Sequence, residues 1–207
     1  TGSSAWPVAQ PAGRRAAWIG LDNTVLELEE GDVERASVSG IVFRSVEAGY
    51  EPLPLANELD LHIACCDGEA TGEFRQSQPA AQCDRFKVDH LVLRTRDAEA
   101  CIALFTDQLG VRLALDKTVP EWGGRMLFFR TGQLTLEVIE AEKDKPSRDR
   151  FWGIAYQCPD IQETVGLLRE SGVEVSDIRA GRKPGTRVAT VKSACQGIPT
   201  LLIEPAR

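Results

Sequence analysis

Between residues 88 and 207 the chain spells one order of elements twice: a strand, a helix, then three strands. A repeat with matching element order constrains the fold more than any single element does. Val88 to Thr95 alternates as a strand. Asp97 then opens a helix whose apolar residues Ala98, Cys101, Ile102, Phe105 and Leu109 recur at helical spacing, with Gly110 at its stop. Strands follow over 111–116, 125–130 and 134–140, the last two joined by a Thr131-Gly132 turn. The second copy starts with a strand over 152–158. Asp160 caps its helix, Ile161, Val165 and Leu168 form the buried stripe, and Gly172 ends it. Strands over 174–178, 187–193 and 199–204 complete the unit.

One helix on four strands leaves a sheet face uncovered, so two such units are expected to curve around a shared cavity. The expected class is therefore α+β, with paired βαβββ modules forming a cup-shaped, strongly curved mixed sheet. The modules span 86–148 and 149–207 of a domain over 86–207.

Residues 1–85 are less regular. A Ser-, Pro-, Ala- and Gly-rich arm reaches Arg15, and strands are expected over 16–21 and 24–29 around an Asp22-Asn23 turn. Two more lie over 40–45 and 59–65, before an aperiodic linker from Gly68 to Gln82. Between Ser45 and Leu59 there is no room for a helix and further strands, so this region reads as a partial βαβββ-type unit.

Composition removes several classes. A net charge of −7 is the wrong sign for a nucleic-acid surface. No apolar run approaches the roughly 20 residues that cross a bilayer. None of the six cysteines forms a C-x-x-C pair, and reduced cytoplasmic thiols are expected. There is no G-x-S-x-G elbow and no dinucleotide fingerprint. The basic stretch Gly181 to Arg187 lacks the strand-to-helix setting of a phosphate loop and reads as a decorated hairpin turn.

The segments D-H-L-V-L-R-T-R-D (Asp89 to Asp97), L-T-L-E-V-I-E (Leu134 to Glu140), W-G-I-A-Y-Q-C-P-D (Trp152 to Asp160) and G-I-P-T-L-L-I-E-P (Gly197 to Pro205) resemble the vicinal oxygen chelate superfamily. It includes glyoxalase I, bleomycin-resistance proteins, extradiol dioxygenases and methylmalonyl-CoA epimerase. The resemblance implies a glyoxalase-like fold and, in the enzymes, one divalent metal (Zn, Ni, Fe or Mn) held by first and last strands of each module. His90 and Glu137 stand at two such ligand positions, and are also the catalytic candidates. The equivalent positions in the second module hold Gly153 and Leu201, which offer no donor. Glu204 lies three positions from Leu201 and is expected on the opposite face. The two-His-and-carboxylate set of the extradiol dioxygenases is incomplete, so that activity is not expected.

Arg94 matches an arginine that grips a substrate carboxylate in glyoxalase I, which implies an anionic ligand. Arg125 and Arg130 are expected near the rim, and Trp122, Phe128, Trp152, Tyr156 and Gln157 are candidates to line the cavity. Asn23 to Glu30 resembles a module's last strand and Gly40 to Ser45 the first strand of the next. The resemblance thus implies a shortened or truncated member of a longer, four-module protein. His62 and Glu27 resemble ligand positions of this incomplete region and are read as structural. Three readings stay open. One is a metal-assisted lyase or isomerase of glyoxalase type. Another is a metal-free protein that sequesters a small molecule. The third is a degenerate module that serves assembly alone. In the first two, the partner is a small-molecule ligand rather than nucleic acid or membrane, and the uncovered amino-terminal strands make a homodimer plausible.

Overall fold

The computed structural model describes residues 16–31, 36–45, 51–52, 59–65 and 86–206. The 1–15 arm and the Gly68 to Gln82 linker lie outside them. The chain divides into two compact units: Ser37–Asp67 with Asp89–Ile154, and Thr1–Ala36 with Gly68–Val88 and Ala155–Arg207.

In the unit holding the first module, strands β3 (Gly40–Ser45), β4 (Glu51–Pro52) and β5 (Asp60–Cys65) form a small sheet of order β3-β5-β4, with β3 and β5 parallel. The two-residue β4 was not expected from the sequence. The module itself contributes β6 (Lys87–Thr95), β7 (Arg112–Val119), β8 (Gly124–Thr131) and β9 (Leu134–Ala141), in the order β6-β9-β8-β7. Strands β6 and β9 run parallel, whereas β8 pairs antiparallel with both β9 and β7, so the sheet is mixed. Beyond β6 lies β10 (Arg150–Gln157), whose residues through Ile154 belong to this unit. Gly132 takes a left-handed φ of 59° at the β8–β9 turn, which sits at Gly132-Gln133, one residue later than expected.

The helix starts as predicted: Asp97 accepts the Ala100 amide at 3.0 Å and caps Ala98–Ile102. It then widens into a π-helical stretch, Ala103–Gln108, closed by Leu109 N–H to Leu104 O at 3.1 Å. Leu104 and Phe105 are adjacent and both fully in the core. A regular helix would rotate neighbours about 100° apart, and the wider turn lets both face the sheet. Phe105 stacks at 5.2 Å from Phe129 and 6.4 Å from Phe43. Around them gather Leu91, Leu93, Leu127, Leu136, Val138, Phe151 and, from the small sheet, Leu59 and Leu61. Odd residues of β6 therefore face the helix and even residues the opposite side. That parity positions the site.

The other unit contains a hairpin of β1 (Ala16–Gly20) and β2 (Val25–Glu29). The turn residue Asn23 donates from its side-chain amide to Val88 O at 2.8 Å and accepts the Val88 amide at 3.0 Å. Beside it Lys87 pairs with Asp22 at 2.7 Å. The second module follows with a helix over Ile161–Glu170, capped by Asp160 as expected, and strands β11 (Arg179–Ala180), β12 (Arg187–Val191) and β13 (Thr200–Glu204). Cys158, Ile161, Val165, Val175, Ala189 and Leu202 form its core.

The strand expected over 174–178 is reduced to a single bridge, Val175 to Val191. Two backbone bonds of the ladder remain, from the Ser176 amide to Thr190 O and from the Lys192 amide to Glu174 O, and side chains have taken other bonding groups. Arg169 donates to the carbonyls of Val175 and Ser176, each at 3.0 Å, and the Ser176 hydroxyl accepts the Thr190 amide at 2.9 Å.

Candidate functional site

Strands β6 and β9 lie in register with His90 opposite Thr135, Val92 opposite Glu137 and Arg94 opposite Ile139. These six residues share the face turned away from the helix. On β8 the same face carries Met126, Phe128 and Arg130, paired with Ile139, Glu137 and Thr135. The structure thus brings His90, Glu137, Phe128 and Arg94 to one surface.

His90 is held between two carboxylates. Its Nδ1 lies 3.0 Å from Asp89 Oδ2, and its Nε2 is 3.6 Å from Glu137 Oε2. The His90 and Glu137 side chains are 19% and 13% exposed, so water screens the pair only in part. Asp89 was not among the sequence candidates; its place beside His90 in the chain was the available signal. Arg130, at the same end, donates to the Thr135 hydroxyl at 2.6 Å.

Arg94 stands four residues along β6, roughly 13 Å from His90 at the usual strand rise. There a cleft of about 450 Å³ is lined by Arg94, Ile139, Ala141, Trp152, Pro120 and Gly123, with the 142–144 segment as its charged wall. His90 and Glu137 are not among its lining residues. Arg94 Nη2 donates to the main-chain oxygen of Asp144 at 2.8 Å and lies 3.4 Å from its Oδ2. Below the cleft a buried clasp fixes the end of β6. The Asp149 carboxylate, 6% exposed, accepts the Thr95 hydroxyl at 2.8 Å and the Arg96 amide at 3.2 Å. The Cys101 thiol sits 3.8 Å from its other oxygen, and burial pushes that thiol up to about 12. Neither Asp144 nor Asp149 was a sequence candidate, because a carboxylate in an irregular segment carries no pattern.

The remaining candidates lie elsewhere. Arg125 is on the helix-side face, clamped by Asp116 at 2.6 and 2.9 Å and by Glu99 at 2.6 Å. Tyr156 packs against the second module's core, and burial raises its hydroxyl's pKa. Gln157 ends β10, half-buried, in that same unit. Trp122 closes a short 3-10 turn, but its side chain, like those of His62 and Glu27, lies outside the described residues. Glu204 turns away from Leu201, as its spacing requires. It accepts the Ile161 amide at 2.8 Å and pairs with Arg187 at 2.6 and 2.7 Å.

Imidazole and carboxylate are suitable donors for a divalent metal, and a 3.6 Å separation is within the span of two donors on one ion. Catalytic metals, however, are normally held by three or more protein ligands. Among the described residues no group of three or more His, Cys, Asp or Glu is assembled that could hold one. Gly153 on β10 and Leu201 on β13 carry no donor atom in their side chains. Among the described residues, His90 and Glu137 supply two donors, fewer than a protein-held catalytic metal normally takes.

Residues 89–190 match the sequence profile of the glyoxalase/bleomycin resistance protein/dioxygenase superfamily. The vicinal oxygen chelate resemblance and the paired-module, glyoxalase-like fold are thereby shown. Among solved structures, a hypothetical protein from Bacillus halodurans C-125 is similar, at 19% identity and a TM-score of 0.51. That likeness covers 59% of this chain and 96% of that one. A methylmalonyl-CoA epimerase is similar at 18% identity and a TM-score of 0.50, covering 60% and 99%. At these identities the likeness speaks to fold alone. No curated protein matches the sequence. No helix among the described residues is long and apolar enough to cross a membrane.

Proposed function

We propose that this protein binds a small anionic molecule on the β6–β9 face, anchored by Arg94, and that it does so without a protein-held metal. The observation that carries this reading is the cleft of about 450 Å³, which offers a guanidinium among apolar walls. That volume falls in the range of small-ligand sites, and an arginine fork matches a carboxylate through two parallel hydrogen bonds. His90 and Glu137, on the same face, form a pair able to donate and accept hydrogen bonds from the far end of a longer ligand. An imidazole beside a carboxylate can also move a proton at a carbon or oxygen brought against it, the step an isomerase requires. The two-donor count favours this reading over the metal-assisted lyase or isomerase.

The test is a thermal-shift and calorimetric screen of small carboxylates and phosphates, run with and without chelator after reconstitution with Zn, Ni, Fe or Mn. Anion binding that survives chelation and is lost in Arg94→Gln is expected. Stoichiometric metal that disappears in both His90→Ala and Glu137→Ala, and without which no anion binds, overturns the metal-free reading.

A further inference from the structure

We infer that the Asp144 side chain is a built-in stand-in for the ligand's carboxylate. The cleft takes a monocarboxylate with a flat apolar body, which seats by displacing that side chain from Arg94. The inference deepens the reading above and rests on it.

The two contacts between Arg94 and Asp144 are unequal. The bond to the main-chain oxygen is short, 2.8 Å, and anchors the guanidinium at the cleft. The approach of Oδ2 is 3.4 Å, well beyond the roughly 2.7–2.9 Å of a strong charge-assisted bond. Exposure is unequal too: the Arg94 side chain is 18% exposed and that of Asp144 is 90%. A carboxylate left almost wholly in water gains little from such a pair and loses little on leaving it. A carboxylate delivered inside the cleft meets a guanidinium already stripped of much of its water and fixed in direction by the carbonyl bond. There it can engage the fork in the two-bond geometry that Asp144 does not reach.

The walls fix the rest of the ligand. Pro120, Ile139 and Ala141 present apolar surface, and Trp152 leaves 44% of its area open, a rare exposure for so large an apolar side chain. A planar hydrocarbon body against that indole covers surface that otherwise faces water. The other charges on the lining, Lys143 and Glu142, offset each other. With Asp144 swung out, Arg94 is the charge a single carboxylate answers.

The experiment uses the full chain and 2-naphthoate, followed by calorimetry at neutral pH. Asp144→Ala and Asp144→Asn should bind naphthoate about 2- to 5-fold more tightly than the parent, since an internal competitor is gone. Arg94→Gln should abolish binding, Arg94→Lys should restore it only in part, and neutral 2-naphthamide should bind at least about tenfold more weakly. Unchanged or weaker affinity in both Asp144 variants, with Arg94→Gln still abolishing binding, overturns the stand-in and leaves the proposed function in place. Failure of every form to bind naphthoate overturns the ligand class, while the anion screen separately judges the broader reading. Equal binding of naphthoate by the parent and Arg94→Gln overturns both.

Discussion

His90 Nε2 lies 3.6 Å from Glu137 Oε2, reached from adjacent parallel strands with both side chains largely shielded. A double-mutant cycle of His90→Ala and Glu137→Ala in urea should therefore show a coupling of about 1 kcal/mol, the lower end for contacting polar residues. Strictly additive losses would mean that the two groups do not interact in solution.

Glu204 ties the second module's helix to its sheet. The Arg187 guanidinium first, and the Ile161 amide second, hold its carboxyl below the ordinary value of 4.5. The ionised form thus favours the folded state. Its contribution is complete above pH 4.5 and fades as pH falls through the lower folded value. Melting temperature followed downward from pH 6 should fall less steeply in Glu204→Gln than in the parent. Parallel acid slopes would contradict this assignment.

Cys101 and Cys158 are both fully buried, and burial raises the pKa of each, that of Cys101 to about 12. Both are thiols at neutral pH, and the thiol is not the nucleophile. Iodoacetamide at pH 8 should leave both unmodified in the folded protein and alkylate both in guanidinium, as read by peptide mass. Rapid labelling of Cys101 before unfolding is the contrary outcome.

Replacing Asp149 by Ala takes the shorter-range acceptor from the buried Thr95 hydroxyl, which keeps the Asp97 main-chain oxygen at 3.1 Å, and removes the acceptor of the Arg96 amide. Loss of a partly buried hydrogen-bond partner costs about 1–3 kcal/mol, so the variant should lose about 1–2 kcal/mol. Denaturant unfolding measures it, with Asp149→Asn expected to recover part of the loss by keeping an acceptor. A change below about 0.5 kcal/mol, the scale of ordinary surface substitutions, would show the clasp to be idle.

Gly124 opens β8 with a φ of 156°, and a Cβ placed there would overlap the Glu140 carbonyl oxygen on the paired strand. The obstacle is backbone, which cannot step aside as a side chain can. Gly124→Ala should cost more than about 2 kcal/mol and distort the cleft beside Gly123. Amide exchange at Glu140 and Ala141 should speed up in the same variant.

The repeat made most of the fold legible. Alternation placed β3 at its observed bounds, and the caps at Asp97 and Asp160 are where the sequence put them. His90 and Glu137 were singled out by the family resemblance, which implies ligand positions on a module's first and last strands, and the parity of β6 and β9 brings them to one face. Other features depend on contacts that no period encodes. The π-helical stretch that carries Leu104 and Phe105 into one core follows no period of the sequence. The strand over 174–178 is shortened where Arg169, on the helix before it, and the hydroxyl of its own Ser176 take some of the ladder's bonding groups. Arg125 was expected at the rim, but Glu99 and Asp116 hold it on the helix side. Strand parity alone would have placed it there.

Asn23 engages both bonding groups of Val88 with a single side-chain amide, as a neighbouring strand would. That clamp lies two residues before His90 on the same strand. Because side chains alternate, slippage of the strand by one residue would turn His90 and Arg94 toward the helix and send Leu91 and Leu93 into water. The hairpin therefore works as an indexing pin for the start of this strand, fixing the residue from which its alternation is counted.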